Sequence, residues 1–226
     1  MLTQNAIQTT RRTNGLAGRA PTPGHSLEST IDMMGATMSF NRNAEIYGEN
    51  EPADYLYKVV SGAVRTYQVL SDGRRQICAF YLPGDVFGLE FGIEHGFSAE
   101  AITNARILVV KRSALLALAD RDHDVARELW TATGSELRRV QDRIVLLIKT
   151  AKERVSGFLL EMAARLSAGN QVELPMSRQD IADYLGLTIE TVSRTLTDLE
   201  NTAAIDLPSS RRIVLRNRAA LNPLHG

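Results

Sequence analysis

The chain has 226 residues, enough for one large or two small domains with a buried core. Hydrophobic residues make up 44% and charged residues 23%, a soluble globular balance, and no apolar run reaches the roughly 18 residues that mark a membrane span. Lys+Arg and Asp+Glu both number 26, so overall charge favours neither a polyanionic partner nor a cationic one.

Residues 1–28 carry Arg11, Arg12 and Arg19, no acid before Glu28, and no apolar core of a secretory signal. The Gly/Pro-rich stretch Gly15 to Gly24 predicts a disordered arm. The basic, Ser/Thr-containing composition leaves a transit peptide as the alternative, without an apolar face to support it. Residues 29–118 read as a small antiparallel barrel or jelly roll, because short apolar runs alternate with turn residues. Tyr55 to Val60 runs into Ser61-Gly62, and Ala63 to Leu70 into Ser71-Asp72-Gly73. Gln76 to Leu82 then ends at Pro83-Gly84-Asp85. Asp72-Gly73 between two strand-like runs predicts a hairpin, since glycine tolerates the positive φ of a tight turn. The single cysteine, Cys78, sits in the strand-like run Gln76 to Phe80 and is expected to be an inert core thiol. One thiol makes no internal disulfide and holds no iron–sulfur cluster, so a reducing cytoplasm is the expected compartment.

Residues 119–149 are read as one long helix. Leu137, Val140, Ile144 and Leu147 recur at alternating steps of three and four, an apolar stripe with the period of a helix-to-helix seam. The stripe serves either packing on the chain's own barrel or pairing with a second copy. A homodimer is favoured because the helix lies between two apparent domains and has few other surfaces to cover.

Residues 150–226 carry the clearest chemistry. Ser177 can cap the amide of Asp180, with Asp180 answering, to start a first helix that Gly186 ends. Thr188 caps a second helix from Ile189 to about Glu200; so short a turn makes a helix-turn-helix. At about 100° per residue, Val192, Leu196 and Leu199 fall within one arc of roughly 60°, while Glu190, Ser193, Arg194 and Thr197 lie opposite. In a major groove Arg194 would pair with guanine O6 and N7, Glu190 would accept from cytosine N4, and Ser193 would meet a base edge or phosphate. After the second helix, Ile205-Asp206, Pro208-Ser209-Ser210 and Ile213 to Leu215 read as a β-wing. Ser209, Arg211 and Arg212 at its tip suit phosphate contacts. Ser177, Arg178, Thr188, Thr191 and Thr197 complete the expected backbone contacts, and a bulky or anionic group at Ser177 is expected to abolish binding.

These pieces together resemble the Crp/Fnr family of bacterial transcription regulators over about residues 30 to 220. The resemblance rests on Ser61-Gly62, on Leu82 to Gly88, on the long helix, and on Arg178 to Thr188. Glu190-Thr191-Val192-Ser193-Arg194 carries the E-x-x-S-R pattern of the Fnr and FixK branches. The resemblance implies an α+β chain: a cyclic-nucleotide-binding-domain-like barrel, a dimerisation helix and a C-terminal winged helix-turn-helix. It also implies a TTGAT…ATCAA-type palindrome as operator, and RNA polymerase as a partner touched through Asp72, Gly73 and Arg74. Fnr proper ligates a cluster through several cysteines that this chain lacks. Crp holds cyclic AMP through an Arg-Ser pair, where this chain has Phe97-Ser98-Ala99, so Phe97 is expected to fill the phosphate's space. No cofactor is therefore expected, and the combination is similar to the FixK subgroup, which serves microoxic and nitrogen-fixation regulons. A barrel sensing another effector is a competing reading. Catalysis is not expected, because His25, His95, His123 and His225 are scattered with no nucleophile or phosphate-loop motif.

Overall fold

In a computed structural model the described residues are 27–90, 92–146, 148–166 and 169–222. The expectation for the N-terminal arm lies outside them up to residue 26. Leu27 and Glu28, placed in that arm by the sequence, instead open a helix, α1 (Leu27–Met34). Its Leu27 and Ile31 pack with Leu56, Leu108, Val110, Leu115 and Val125, which explains why so short a helix is retained.

The barrel is a two-sheet jelly roll. One antiparallel sheet runs β1 (Ala36–Phe40), β8 (Ala105–Lys111), β3 (Tyr55–Ser61), β6 (Val86–Phe87). The other runs β2 (Glu45–Tyr47), β7 (Ser98–Ala101), β4 (Val64–Val69), β5 (Arg75–Tyr81). Tyr47, Tyr57, Val59, Val64, Phe87 and Ile107 fill the space between them. The chain changes sheets at Gly62, whose φ is +84° and whose missing Cβ would lie 2.4 Å from the Asn104 carbonyl oxygen. β4 and β5 form the expected hairpin, closed by Leu70 N–H to Arg74 O at 2.8 Å and Gly73 N–H to Leu70 O at 2.9 Å. Gly73 has φ +82°, the left-handed residue that a three-residue loop demands.

The long helix is shorter than its sequence pattern suggests. α2 (Arg112–Ala119) ends before Asp120, and α3 (His123–Leu146) starts afresh. The Asp122 carboxylate accepts the amides of Asp124 and Val125 at 2.9 and 3.3 Å, a side-chain cap that stops the first helix from running on. α4 (Ala151–Arg165) follows, begun by a Thr150–Glu153 capping box.

The C-terminal unit holds β9 (Gln171–Glu173), α5 (Arg178–Leu185), α6 (Ile189–Asn201), β10 (Ile205–Asp206), β11 (Arg212–Leu215) and α7 (Arg218–Leu221), with strand order β10-β11-β9. Its core is continuous with the barrel. Ala63, Ile77, Phe80, Leu82 and Ile102 belong to the same cluster as Phe158, Met162, Ile181, Leu185, Val192 and Leu196. Phe80 of β5 meets the rings of Phe158 at 6.3 Å and Tyr184 at 5.1 Å. No described helix is long and apolar enough to cross a membrane.

Candidate nucleic-acid interface

The helix-turn-helix is built as its residues demand. Ser177 Oγ accepts the Asp180 amide at 3.1 Å, and Asp180 Oδ2 accepts the Ser177 amide at 2.9 Å. Gly186 leaves α5 in the left-handed region at φ +64°. Thr188 Oγ1 accepts the Thr191 amide at 3.2 Å and starts α6. Val192, Leu196 and Leu199 are buried, while Glu190, Arg194 and Thr197 are exposed and Ser193 is half-buried. The apolar arc read from the sequence therefore faces the core, and the polar arc faces outward.

The Glu190 carboxyl is held below its ordinary value of 4.5 by its own backbone amide, by the Thr188 hydroxyl and, more weakly, by the Arg194 guanidinium. It is a carboxylate acceptor at neutral pH. Arg178 Nη1 reaches Ser193 Oγ at 3.4 Å, so these two half-buried groups tie α5 to α6. Thr197 Oγ1 donates to Ser193 O at 3.1 Å. On the wing, Ser209 Oγ accepts the amides of Arg211 and Arg212 at 3.4 and 3.1 Å, which shapes the tip. Arg212 is exposed and Arg211 half-buried, and Arg212 lies only 3.9 Å from exposed Glu173, a weak pairing. On their outer side α6 and the wing present Glu190, Arg194, Arg211 and Arg212 together with the amide-bearing turn at Ser209.

Leu137, Val140 and Ile144 are 58%, 50% and 61% exposed, so much of the stripe on α3 stays open, while Leu137 and Val140 also wall the space between α3 and the barrel. Leu147 lies outside the described residues. The sequence reading missed Trp130, which is 77% exposed and stands one heptad before Leu137. Counting back seven residues from Leu137 finds it.

Between barrel and α3 lies a cavity of about 470 Å³, lined by Thr66, Tyr81, Glu90, Phe97, Glu136 and Arg143 among others. Phe97 is half-buried and forms part of the wall of this space. Glu136 accepts from the Tyr81 hydroxyl at 3.0 Å, and Glu90 stands 3.3 Å from His95 Nδ1. Arg143 donates to the carbonyls of Ile77, Cys78 and Tyr184 and stacks 4.8 Å from the Tyr184 ring. Cys78 is half-buried and not in the core as expected. Burial pushes its thiol pKa up, partly offset by Arg143. At the hairpin tip Arg74 Nε bonds Asp72 Oδ2 at 2.7 Å, with both side chains at least half exposed.

Residues 153–224 match the Crp-like helix-turn-helix domain family, and residues 37–122 match the cyclic nucleotide-binding domain family. The chain is 53% identical over 200 residues to the nitrogen fixation regulation protein FixK of Azorhizobium caulinodans, covering 86% of this chain and 81% of that one. It is 40% identical over 208 residues to the nitrogen fixation regulation protein FixK of Rhizobium meliloti, covering 92% and 91%. Among solved structures, FixK2 from Bradyrhizobium japonicum aligns with a TM-score of 0.80 at 55% identity, over 83% of this chain and 95% of that one.

Proposed function

This chain belongs to the Crp/Fnr family of transcription regulators, and on that premise we propose a FixK-like activator that works as a homodimer on a TTGAT…ATCAA-type palindrome. The observation that carries this reading is α6. Its buried arc anchors the helix, and its outward arc presents Glu190, Ser193 and Arg194 from the first turns, where a recognition helix meets base edges. Arg194 reads guanine, and Glu190, one turn before it, accepts from the paired cytosine. Ser177, Arg178, Thr188, Thr191, Thr197, Ser209, Arg211 and Arg212 hold the phosphate backbone and fix the register. The exposed stripe Trp130, Leu137, Val140 and Ile144 supports pairing through α3. The regulon follows the relatives' names, nitrogen fixation, in the cytoplasm, and Asp72, Gly73 and Arg74 present an exposed turn to RNA polymerase.

Cyclic AMP has no part in this reading. An anionic phosphate in the barrel cavity would meet the carboxylates of Glu90 and Glu136, and the guanidinium of Arg143 is taken up by three carbonyls. A chain with one cysteine lacks the thiolates for an iron–sulfur cluster.

The test is binding of wild type and Arg194→Ala to the palindrome and to a scrambled duplex at one fixed salt concentration. Strong preference for the palindrome is expected, with a loss of about 1–3 kcal/mol per half-site in the variant. Equal binding to both duplexes refutes the assigned face. The cavity favours a second reading, in which a neutral, largely apolar effector enters the barrel. A thermal shift with such compounds, raised in proportion to ligand, would establish it.

A further inference from the structure

The barrel grips the first helix of the helix-turn-helix through a buried ionic network that DNA recognition does not use. Asp180 divides its carboxylate between two tasks. Oδ2 closes the capping box with Ser177, and Oδ1 receives Arg65 Nη1 at 2.6 Å and Arg75 Nη2 at 2.8 Å. Arg75 also places Nε and Nη2 on Asp183 Oδ2, at 2.9 and 2.8 Å, and Arg65 reaches Glu100 on β7 at 2.9 Å. Gln76 Nε2 adds a bond to the Asp183 carbonyl at 2.5 Å. Both arginines and the glutamine belong to β4 and β5, and both aspartates to α5. The side chains of Arg65, Asp180, Asp183 and Glu100 are only 8–14% exposed and that of Arg75 27%, so water and salt screen the carboxylates little and Arg75 in part.

A stability role alone would not need this geometry. Buried ion pairs are often no more stabilising than apolar packing, which this interface already has in Phe80, Phe158 and Tyr184. What planar guanidinium groups add is direction, since their donors accept only a narrow range of carboxylate positions. α5 carries α6 through a turn of a few residues, so fixing α5 also fixes α6.

We propose that Arg65 and Arg75 are positioning residues for operator recognition: through Asp180 and Asp183 they lock the helix-turn-helix onto the barrel of the same chain, so the barrel sets the distance and angle between the two recognition helices of a dimer. This rests on the reading that α6 enters the major groove of a palindrome. Two half-sites on one duplex are a ruler, because the two helices must meet grooves about one turn, or about 34–36 Å, apart. A loosened lock leaves each recognition helix intact and spoils only their joint fit.

The experiment uses the full chain as wild type, Arg75→Met, Asp183→Asn and the double variant. Each is titrated at one salt concentration against the palindrome, the palindrome with one base pair added at its centre, a duplex with one half-site, and a scrambled duplex. Each single variant is expected to lose about 10-fold in palindrome affinity, about 1.4 kcal/mol, while half-site affinity stays within about 2-fold. Discrimination between the native and lengthened spacers is expected to shrink. The double variant is expected to be no worse than the worse single one, as for residues acting as a pair. Arg75→Lys keeps the charge, loses the planar fork and should fall between wild type and Arg75→Met, a milder probe if the latter folds poorly. Wild-type palindrome affinity and spacer discrimination in the variants overturn the proposal. So does half-site affinity that falls in step with palindrome affinity, which would mean damage to the helix-turn-helix itself. A wild type that treats palindrome and scrambled duplex alike refutes the operator reading, and the lock's purpose with it.

Discussion

The α3 stripe makes a quantitative claim about assembly. Ile144→Ala removes about three methylene equivalents, each worth about 0.8 kcal/mol when taken fully out of water. Ile144 is 61% exposed in the single chain, so about 1.5 kcal/mol per protomer is available to pairing. In a two-fold dimer the loss occurs in both copies, about 3 kcal/mol in total, which raises the dissociation constant roughly 100-fold. Sedimentation over a dilution series measures it directly. Trp130, the chain's single tryptophan and 77% exposed, gives a second readout, because its emission should move to longer wavelength as dimers dissociate. Arg138→Ala, exposed but off the stripe, serves as control and should leave the constant within about 2-fold. A dissociation constant unchanged by Ile144→Ala, or Trp130 emission that does not respond to dilution, would refute α3 as the seam.

Ser177→Ala breaks one half of the α5 capping box and should cost about 1 kcal/mol, a few degrees in Tm, measured by thermal melting. Ser177→Asp instead sets a carboxylate against Asp180 Oδ2, which lies 2.7 Å from Ser177 Oγ, and should abolish operator binding in a mobility-shift assay. Arg74→Ala should keep operator affinity within about 2-fold yet lose transcription in a reconstituted polymerase assay, since its ion pair to Asp72 is exposed. Burial, helped by Glu161, raises the Tyr184 hydroxyl to about 12 against the opposing charge of Arg143. The unfolded chain therefore loses that proton first, so stability falls as pH rises between the ordinary value of 10 and about 12. In Tyr184→Phe this alkaline decline should be flatter, as denaturant unfolding at several pH values would reveal. Phe80→Ala removes a ring that is 2% exposed at the junction of barrel and C-terminal unit. It should cost about 3–5 kcal/mol and split a single calorimetric transition in two.

What the sequence determined by itself is whatever a few neighbouring residues decide among themselves. Asp72-Gly73 turns the β4–β5 hairpin because only a left-handed residue closes that loop. Ser177 and Asp180 begin α5, Gly186 ends it and Thr188 begins α6, all through contacts within a few positions. The α6 polar arc, with Glu190, Ser193 and Arg194, follows from helical periodicity alone, so the candidate recognition face was legible before any tertiary contact was known. The tertiary structure decided matters that depend on distant partners. It sent β3 and β4 to opposite sheets, set α1 against the barrel, and kept a cavity open beside Phe97. It also merged the cores of two units that look separate in the sequence and paired Arg65 with Asp180 across 115 positions. With 26 basic and 26 acidic residues, composition and spacing leave that pairing almost wholly degenerate. Only folding, which takes these few charges out of water together, makes one combination cheaper than the rest.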